Sequence, residues 1–306
     1  MSGAIGDTPT KGGGARFKGM KTLSKGAHGM VQLAADQTSD NRCVVIKYVL
    51  RGEAVSSRPV LREVLNHQEI SMYKHPHFVE FYELFLTPRY LGIVMEYVDG
   101  RNLEAYLLEH GGKLPEDAAR FLFQQLMVAV EFLHKRRKIN LDIKLSSVLI
   151  TEQGPLPVLK LFHFGLSKDM INDTAPDTRT GTALFSAPEV FLHADGQSYD
   201  GVPVDIWSCG VILHIMLFGC HPFLYPSDLE LNQGEQVVKL IENVLGGRLQ
   251  LPDEAVGTPL GNLLRRMLDP EPKQRATIAE IFQDAWFQVE PVVGIKMHCF
   301  RYNFML

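Results

Sequence analysis

"KINLDIKLSSVLI" (Lys138–Ile150), followed at a short distance by "LKLFHFGLSK" (Leu159–Lys168), is the part of the chain on which the fold turns. The first stretch sets Asp142, Lys144 and Ser147 on a loop and runs, with Thr151 just beyond it, into "VLIT", a short β-branched run that reads as a strand. The second is another short strand, "VLKLF", running into a turn at Phe164-Gly165. An acid and a lysine on a loop, with a strand and a turn close behind, is the layout of a site and not of a core. At the turn stands His163, an imidazole where the chemistry of holding a metal–phosphate complex would want a carboxylate.

Upstream, the chain from Phe17 to Met95 is rich in strand patterns. "FKGMKTLSKGAHGMVQLAADQ" reads as two strands around a glycine turn, and "RCVVIKYVL" as a buried strand ending in lysine and apolar residues. "RPVLREVLNHQEISMYK" has helical spacing, with Val60, Leu61, Val64 and Leu65 expected on one face and Pro59 in the first turn. "FVEFYELFLTPRYLGIVMEYV" reads as a hairpin. After Asp99-Gly100, "LEAYLLEH" and "PEDAARFLFQQLMVAVEFLHKRR" are helical, and from Ser186 onward helices dominate between Pro/Gly breaks.

Composition narrows the functional classes. The 306 residues suffice for a sizeable core in one or two lobes. A net charge of −4 gives no general attraction for nucleic acid or anionic membrane. The four cysteines (Cys43, Cys209, Cys220, Cys299) form no CxxC pair, so reduced thiols and a cytoplasmic or nuclear location are expected. "DIWSCGVILHIMLFGCHPF" carries Ser208 and His214 and falls short of the about 20 apolar residues a spanning helix needs, which makes it a buried core helix. The Gly-rich N-terminus lacks the apolar stretch of a signal peptide and reads as a disordered tail.

Taken in order, these motifs resemble the signature set of eukaryotic protein kinases. Residues from Phe17 to about Gln288 resemble a serine/threonine protein kinase domain. "REVLNH", "GTALFSAPEVF" and "LLRRMLDPEPKQRATIAEIFQDAWF" are most similar to the calcium/calmodulin-dependent kinase group, particularly its plant sucrose-nonfermenting-related branch. The resemblance implies an α+β, bilobal fold: a small antiparallel-sheet N-lobe with one main helix, and a larger helical C-lobe. The implied boundaries are a tail at 1–16, the N-lobe at 17–94, a hinge at 95–99, the C-lobe at 100–288 and an extension at 289–306.

The resemblance also assigns roles. Leu23, Gly26, Gly29 and Val31 fall on the phosphate-covering loop, where glycines let backbone N–H groups close over phosphate. Val45, Met95, Glu96, Val98 and Leu149 fall on the adenine site. Lys47 corresponds to the lysine that grips α- and β-phosphates, with Glu63 as its partner. Asp142 corresponds to the acceptor of the substrate hydroxyl proton and Lys144 to the contact with the transferred phosphate. Glu189 with Arg275, and Asp205 beneath the catalytic loop, are implied braces. Thr178, Thr180 and Thr182 are implied sites of phosphorylation. ATP is the implied cofactor, with magnesium or manganese, and proteins are the implied substrates or partners.

Six positions depart from the family pattern: Ser24, Val45, Asn140, Leu141, Ser147 and His163. Ser147 and His163 replace both metal ligands. Magnesium prefers hard oxygen donors, whereas imidazole suits softer ions, and no further His or Cys beside His163 completes a zinc set. Leu141 removes the arginine that clamps a phosphate on the segment after the turn. Asn102 and Ser146 replace acids that read an upstream arginine in substrates. Two functions follow. One is a pseudokinase acting through bound partners in signalling. The other is a weakly active serine/threonine kinase using Lys47, Asp142 and Lys144 with altered metal handling.

Overall fold

The computed structural model describes residues 10–11, 14–26, 29–52, 58–170, 183–192 and 198–290. The chain divides into two compact units, one ending at Asp99 and the other beginning at Gly100.

The first unit is built on five antiparallel strands: β3 (Phe17–Gly26), β4 (Gly29–Asp36), β5 (Arg42–Leu50), β6 (Phe81–Leu86) and β7 (Tyr90–Glu96), in the order β3-β4-β5-β7-β6. Alternation along β5 sends its residues to two faces. Val44, Ile46 and Tyr48 join Phe17, Ala34 and Val94 in one buried cluster. Lys47 and Val49 face the other way, opposite Ile93 and Leu91. There Val49, Leu91 and Ile93 pack with Val64 of helix α1 (Arg58–Ser71). Gly29 begins β4 at φ +154°, and a Cβ there would collide with the Tyr48 carbonyl, so the close passage of β4 over β5 requires glycine.

Order begins before Phe17. Strands β1 (Thr10–Lys11) and β2 (Gly14–Ala15) pair within the stretch read as a disordered tail. Arg16 bridges Asp36 and Glu83 at 2.8 and 2.6 Å, two anions that the sequence holds 20 and 67 positions away. The Arg16 guanidinium holds the Asp36 carboxyl well below the usual range.

Helix α1 corrects the expected face. Leu61 and Leu65 are 49% and 63% exposed, while Glu63, Val64, Asn66, His67 and Ile70 are buried. The helix turns its polar His67 inward because the Val79 carbonyl lies 2.7 Å from Nε2 and satisfies the ring.

In the second unit, β8 (Arg101–Asn102) pairs with β10 (Val148–Thr151), which pairs with β11 (Val158–Leu161). Asn102 also caps α2 (Leu103–Glu109), its side chain accepting from the Ala105 N–H at 2.8 Å. Helix α3 (Glu116–Lys135) follows, with Pro115 just outside it at the cap and Glu116 and Asp117 in the first turn. Two more residues, β9 (Lys138–Ile139), pair with β12 (Lys168–Asp169). Beyond lie α4 (Pro188–Leu192), α5 (Gly201–Phe218), α6 (Gln233–Leu245), α7 (Pro259–Met267) and α8 (Ile278–Gln283).

Helix α5 is the spine of this unit. Among the described residues it is the helix long and apolar enough to cross a bilayer, and it is mostly buried in protein. It stops at Gly219, whose φ of +72° is the left-handed cap that glycine supplies without strain. Two of its buried polar residues find partners: the Ser208 hydroxyl lies within donating distance of the Phe185 and Val204 carbonyls, and both His214 nitrogens face carbonyls of Cys220 and Gln250.

Burial lowers the proton affinity of His67, His214 and His221, the last to about 4. The His221 ring meets the Leu184 carbonyl through Nε2 and accepts the Phe223 N–H through Nδ1, the pattern of a neutral imidazole. Because its folded value lies below the ordinary 6.5, its stabilisation is complete above that pH and is lost progressively as pH falls toward 4. The gap is worth about 3 kcal/mol. Urea unfolding of wild type should weaken across this window, and His221→Gln, which preserves a donor and an acceptor, should flatten the dependence. An unchanged pH profile in His221→Gln refutes the assignment.

Candidate functional site

On the first unit, the candidate residues collect on the α1 side of the sheet. Val31 is paired with Lys47, Leu33 with Val45, and Val45 with Met95, so Val31, Val45, Lys47 and Met95 share one face by strand alternation. Val31, Val45, Met95, Glu96 and Val98 are half-buried, and Leu23 is exposed. The Glu96 N–H is given to the Glu80 carbonyl at 2.8 Å. Gly26 and Gly29 face each other at the end of the β3–β4 ladder, and residues 27–28 between them lie outside the described residues.

Lys47 and Glu63 form a two-pronged pair, Nζ lying 2.5 and 2.7 Å from the two carboxylate oxygens. The pair fixes an ammonium on the rigid centre of the sheet, the arrangement that suits electrostatic positioning of an anion. A polar cavity of about 360 Å³ in this unit, flanked by Arg16, Asp36, Arg42 and Glu83, includes Val44 and Val94 and so opens on the opposite face. It takes no part in the Lys47 arrangement.

On the second unit, the loop between β9 and β10 is held from below by Asp205, which has no exposed surface. Its carboxylate accepts the N–H groups of Asn140 and Leu141 at 2.9 and 2.8 Å and meets His134 Nε2 at 2.9 Å. This grip keeps Leu141 at a positive φ of +63°, a conformation costly for a branched side chain. Leu141 is itself buried among Ile139, Tyr199, Val204 and Trp207.

Asp142 is buried, and the Lys144 ammonium reaches its two oxygens at 2.9 and 2.8 Å. Asn140 ties this loop to the turn after β11. Its Oδ1 accepts the Asp142 N–H at 3.1 Å, and its Nδ2 donates to the His163 carbonyl at 3.3 Å. One amide therefore serves both segments, a function of Asn140 that its sequence position alone did not disclose.

The two residues at the implied metal positions are engaged differently. Ser147 is 2% exposed. Its hydroxyl accepts the Lys144 N–H at 3.0 Å and lies within donating distance of the Asp142 and Lys144 carbonyls at 3.1 and 3.0 Å. A hydroxyl so used has one lone pair left and no carbonyl-strength dipole. His163 is exposed at φ +79°, its ring edge-on to Phe162, while Phe164 beside it is fully buried. This donor set of one imidazole and one committed hydroxyl does not fit a hard, octahedral dication. Among the described residues no group of three or more His, Cys, Asp or Glu gathers to hold a metal.

Glu189 and Arg275 form a buried bidentate pair at 2.6 and 2.9 Å, and the guanidinium also bonds to the Pro203 and Asp269 carbonyls and lies over Trp207. Leu149 is half-buried on β10, and Ser146 is half-buried beside Ser147. Thr178, Thr180 and Thr182 lie outside the described residues, as does the chain after Glu290.

The chain matches the protein kinase domain over residues 17–287. It is 35% identical over 282 residues to the serine/threonine-protein kinase SRK2D of Arabidopsis thaliana, and 36% identical to SRK2E of the same plant. Each alignment covers 92% of this chain and 74% of the relative. Against SAPK3, a serine/threonine-protein kinase of Oryza sativa subsp. japonica, identity is 35% over 273 residues, covering 89% of this chain and 77% of the relative. With the five-stranded N-lobe, the helical C-lobe and a match across most of its length, this chain belongs to the protein kinase family and is similar to serine/threonine-protein kinases of plants.

Proposed function

We propose that this chain is a pseudokinase: a serine/threonine-kinase fold with strongly impaired magnesium-dependent phosphate transfer, acting through the protein partners it binds. The donor set at Ser147 and His163 carries this reading. Two charges about 4 Å apart at an effective dielectric near 20 interact by about 4 kcal/mol. Replacing a carboxylate by an exposed imidazole forfeits an attraction of that order beside a dication. At about 1.4 kcal/mol for each tenfold change, a loss near a thousandfold follows.

ATP remains the expected ligand. Lys47, held by Glu63, would grip phosphate without a metal, and the apolar Val31, Val45 and Met95 would meet the base. Val45 is bulkier than the alanine the family pattern implies, so weak binding is expected.

The retained Lys47–Glu63 and Asp142–Lys144 pairs favour one second reading: a feebly active serine/threonine kinase using manganese. The two readings separate in a radiolabelled-ATP assay on a generic protein acceptor with magnesium or manganese. Background transfer with both ions is expected. Transfer that disappears in Asp142→Asn overturns the pseudokinase reading. In parallel, ATP should raise the melting temperature equally with and without magnesium, and Lys47→Met should abolish the shift. A shift that requires magnesium contradicts the proposed donor deficit.

A further inference from the structure

Leu141 stands where the family resemblance implied an arginine, and its side chain is buried in the apolar cluster around Trp207. That position offers no guanidinium to receive a phosphate. Three residues earlier, however, the chain buries an ammonium. Lys138 is 2% exposed, and its Nζ lies 3.0 Å from Asp169 Oδ2. The two residues are also ladder partners: Lys138 faces Asp169 and Ile139 faces Lys168. The Met170 N–H extends the pairing to the Arg137 carbonyl at 2.7 Å.

A buried ammonium is tolerated only where a carboxylate answers it, so the ion pair fixes the register of these two short strands. Opposite charges directly across a ladder reinforce that register. The strands matter for what they adjoin. β9 runs straight into Asn140–Lys144, and β12 leaves the turn that contains His163.

We propose that the Lys138–Asp169 pair is a built-in electrostatic clamp. An internal carboxylate holds β12 against β9, and the loop bearing Asp142 keeps its geometry without a phosphate on Thr178, Thr180 or Thr182. The proposal rests on the kinase fold and not on impaired transfer, so it holds for an active or an inactive chain.

Hydrogen exchange of the full chain, which needs no activity, tests it. Phosphatase-treated wild type and Thr178→Glu/Thr180→Glu/Thr182→Glu should show equal protection of the 138–144 and 168–170 amides. Asp169→Leu, which takes this carboxylate away from the buried ammonium, should accelerate exchange there by about a hundredfold. Lys138→Met/Asp169→Leu replaces the pair with apolar side chains and should return exchange to within about tenfold of wild type. The clamp is refuted if the glutamate variant slows exchange at 138–144, if Asp169→Leu changes nothing, or if the double variant shows no coupling between the two substitutions. Should Asp169→Leu not fold, the double variant decides alone: folded with near-native exchange supports the clamp, and unfolded overturns it.

Discussion

His163→Asp combined with Ser147→Asn is expected to raise magnesium-dependent phosphate transfer by about a thousandfold over wild type, the rate equivalent of the missing charge. The surroundings favour so large a gain. Lys47 is already paired with Glu63, and the Asp142 loop is already gripped by Asp205 and Asn140. The backbone at His163, φ +79°, is one that aspartate adopts more readily than most residues, so the substitution adds no strain. An asparagine at 147 has an amide oxygen that can accept the Lys144 N–H as the Ser147 hydroxyl does, while bringing a stronger dipole toward a metal. His163→Asp alone should give the larger part of the gain, because it restores a full charge. Initial rates with radiolabelled ATP measure the effect, and Asp142→Asn in the restored background should abolish it. A double variant that stays at background would mean that the fault lies outside the donor set.

The second large effect is on stability. Glu189→Gln leaves the buried Arg275 guanidinium without its counter-ion, and breaking such a pair typically costs about 3–5 kcal/mol. For a unit of this size, that lowers the melting temperature by about 10 °C. Glu189→Leu with Arg275→Met should recover most of the loss, since apolar side chains of similar volume replace a buried pair at little cost. The exposed Lys239–Glu242 pair is the natural control, and Lys239→Ala should leave the melting temperature unmoved. A small shift in Glu189→Gln would show that the Pro203 and Asp269 carbonyls alone suffice to hold Arg275.

Both predictions use residues that were legible in the sequence because each belongs to a motif of fixed order: the lysine closing "VVIK", the acid and lysine of "LDIK", the glutamate after Ala187-Pro188. Order along the chain is what single-sequence reading recovers best. Partners distant in sequence are harder. Leu61 and Leu65 satisfied helical spacing as well as Val64 did, and only the sheet packed against α1 decides which side is inside. Arg101–Asn102 is too short to show a strand pattern, and its pairing with β10 arises from residues almost fifty positions away. Asn140 read only as a departure from the family pattern, whereas its amide proves to be the tie between two segments. The burial of Lys138 had no sequence signal, since a lysine beside two arginines reads as surface charge until Asp169 is brought to it.

The nearly all-apolar surface of α5 has a consequence for the order in which the protein is made. Gly210 on that helix is in close approach to Met267 and Leu268, which are translated more than fifty residues later. Until they emerge, an eighteen-residue greasy rod has no lasting cover on that side. A message cut short between those points therefore yields a polypeptide that clumps or calls on chaperones, even though the segments bearing Lys47, Asp142 and His163 have already been synthesised.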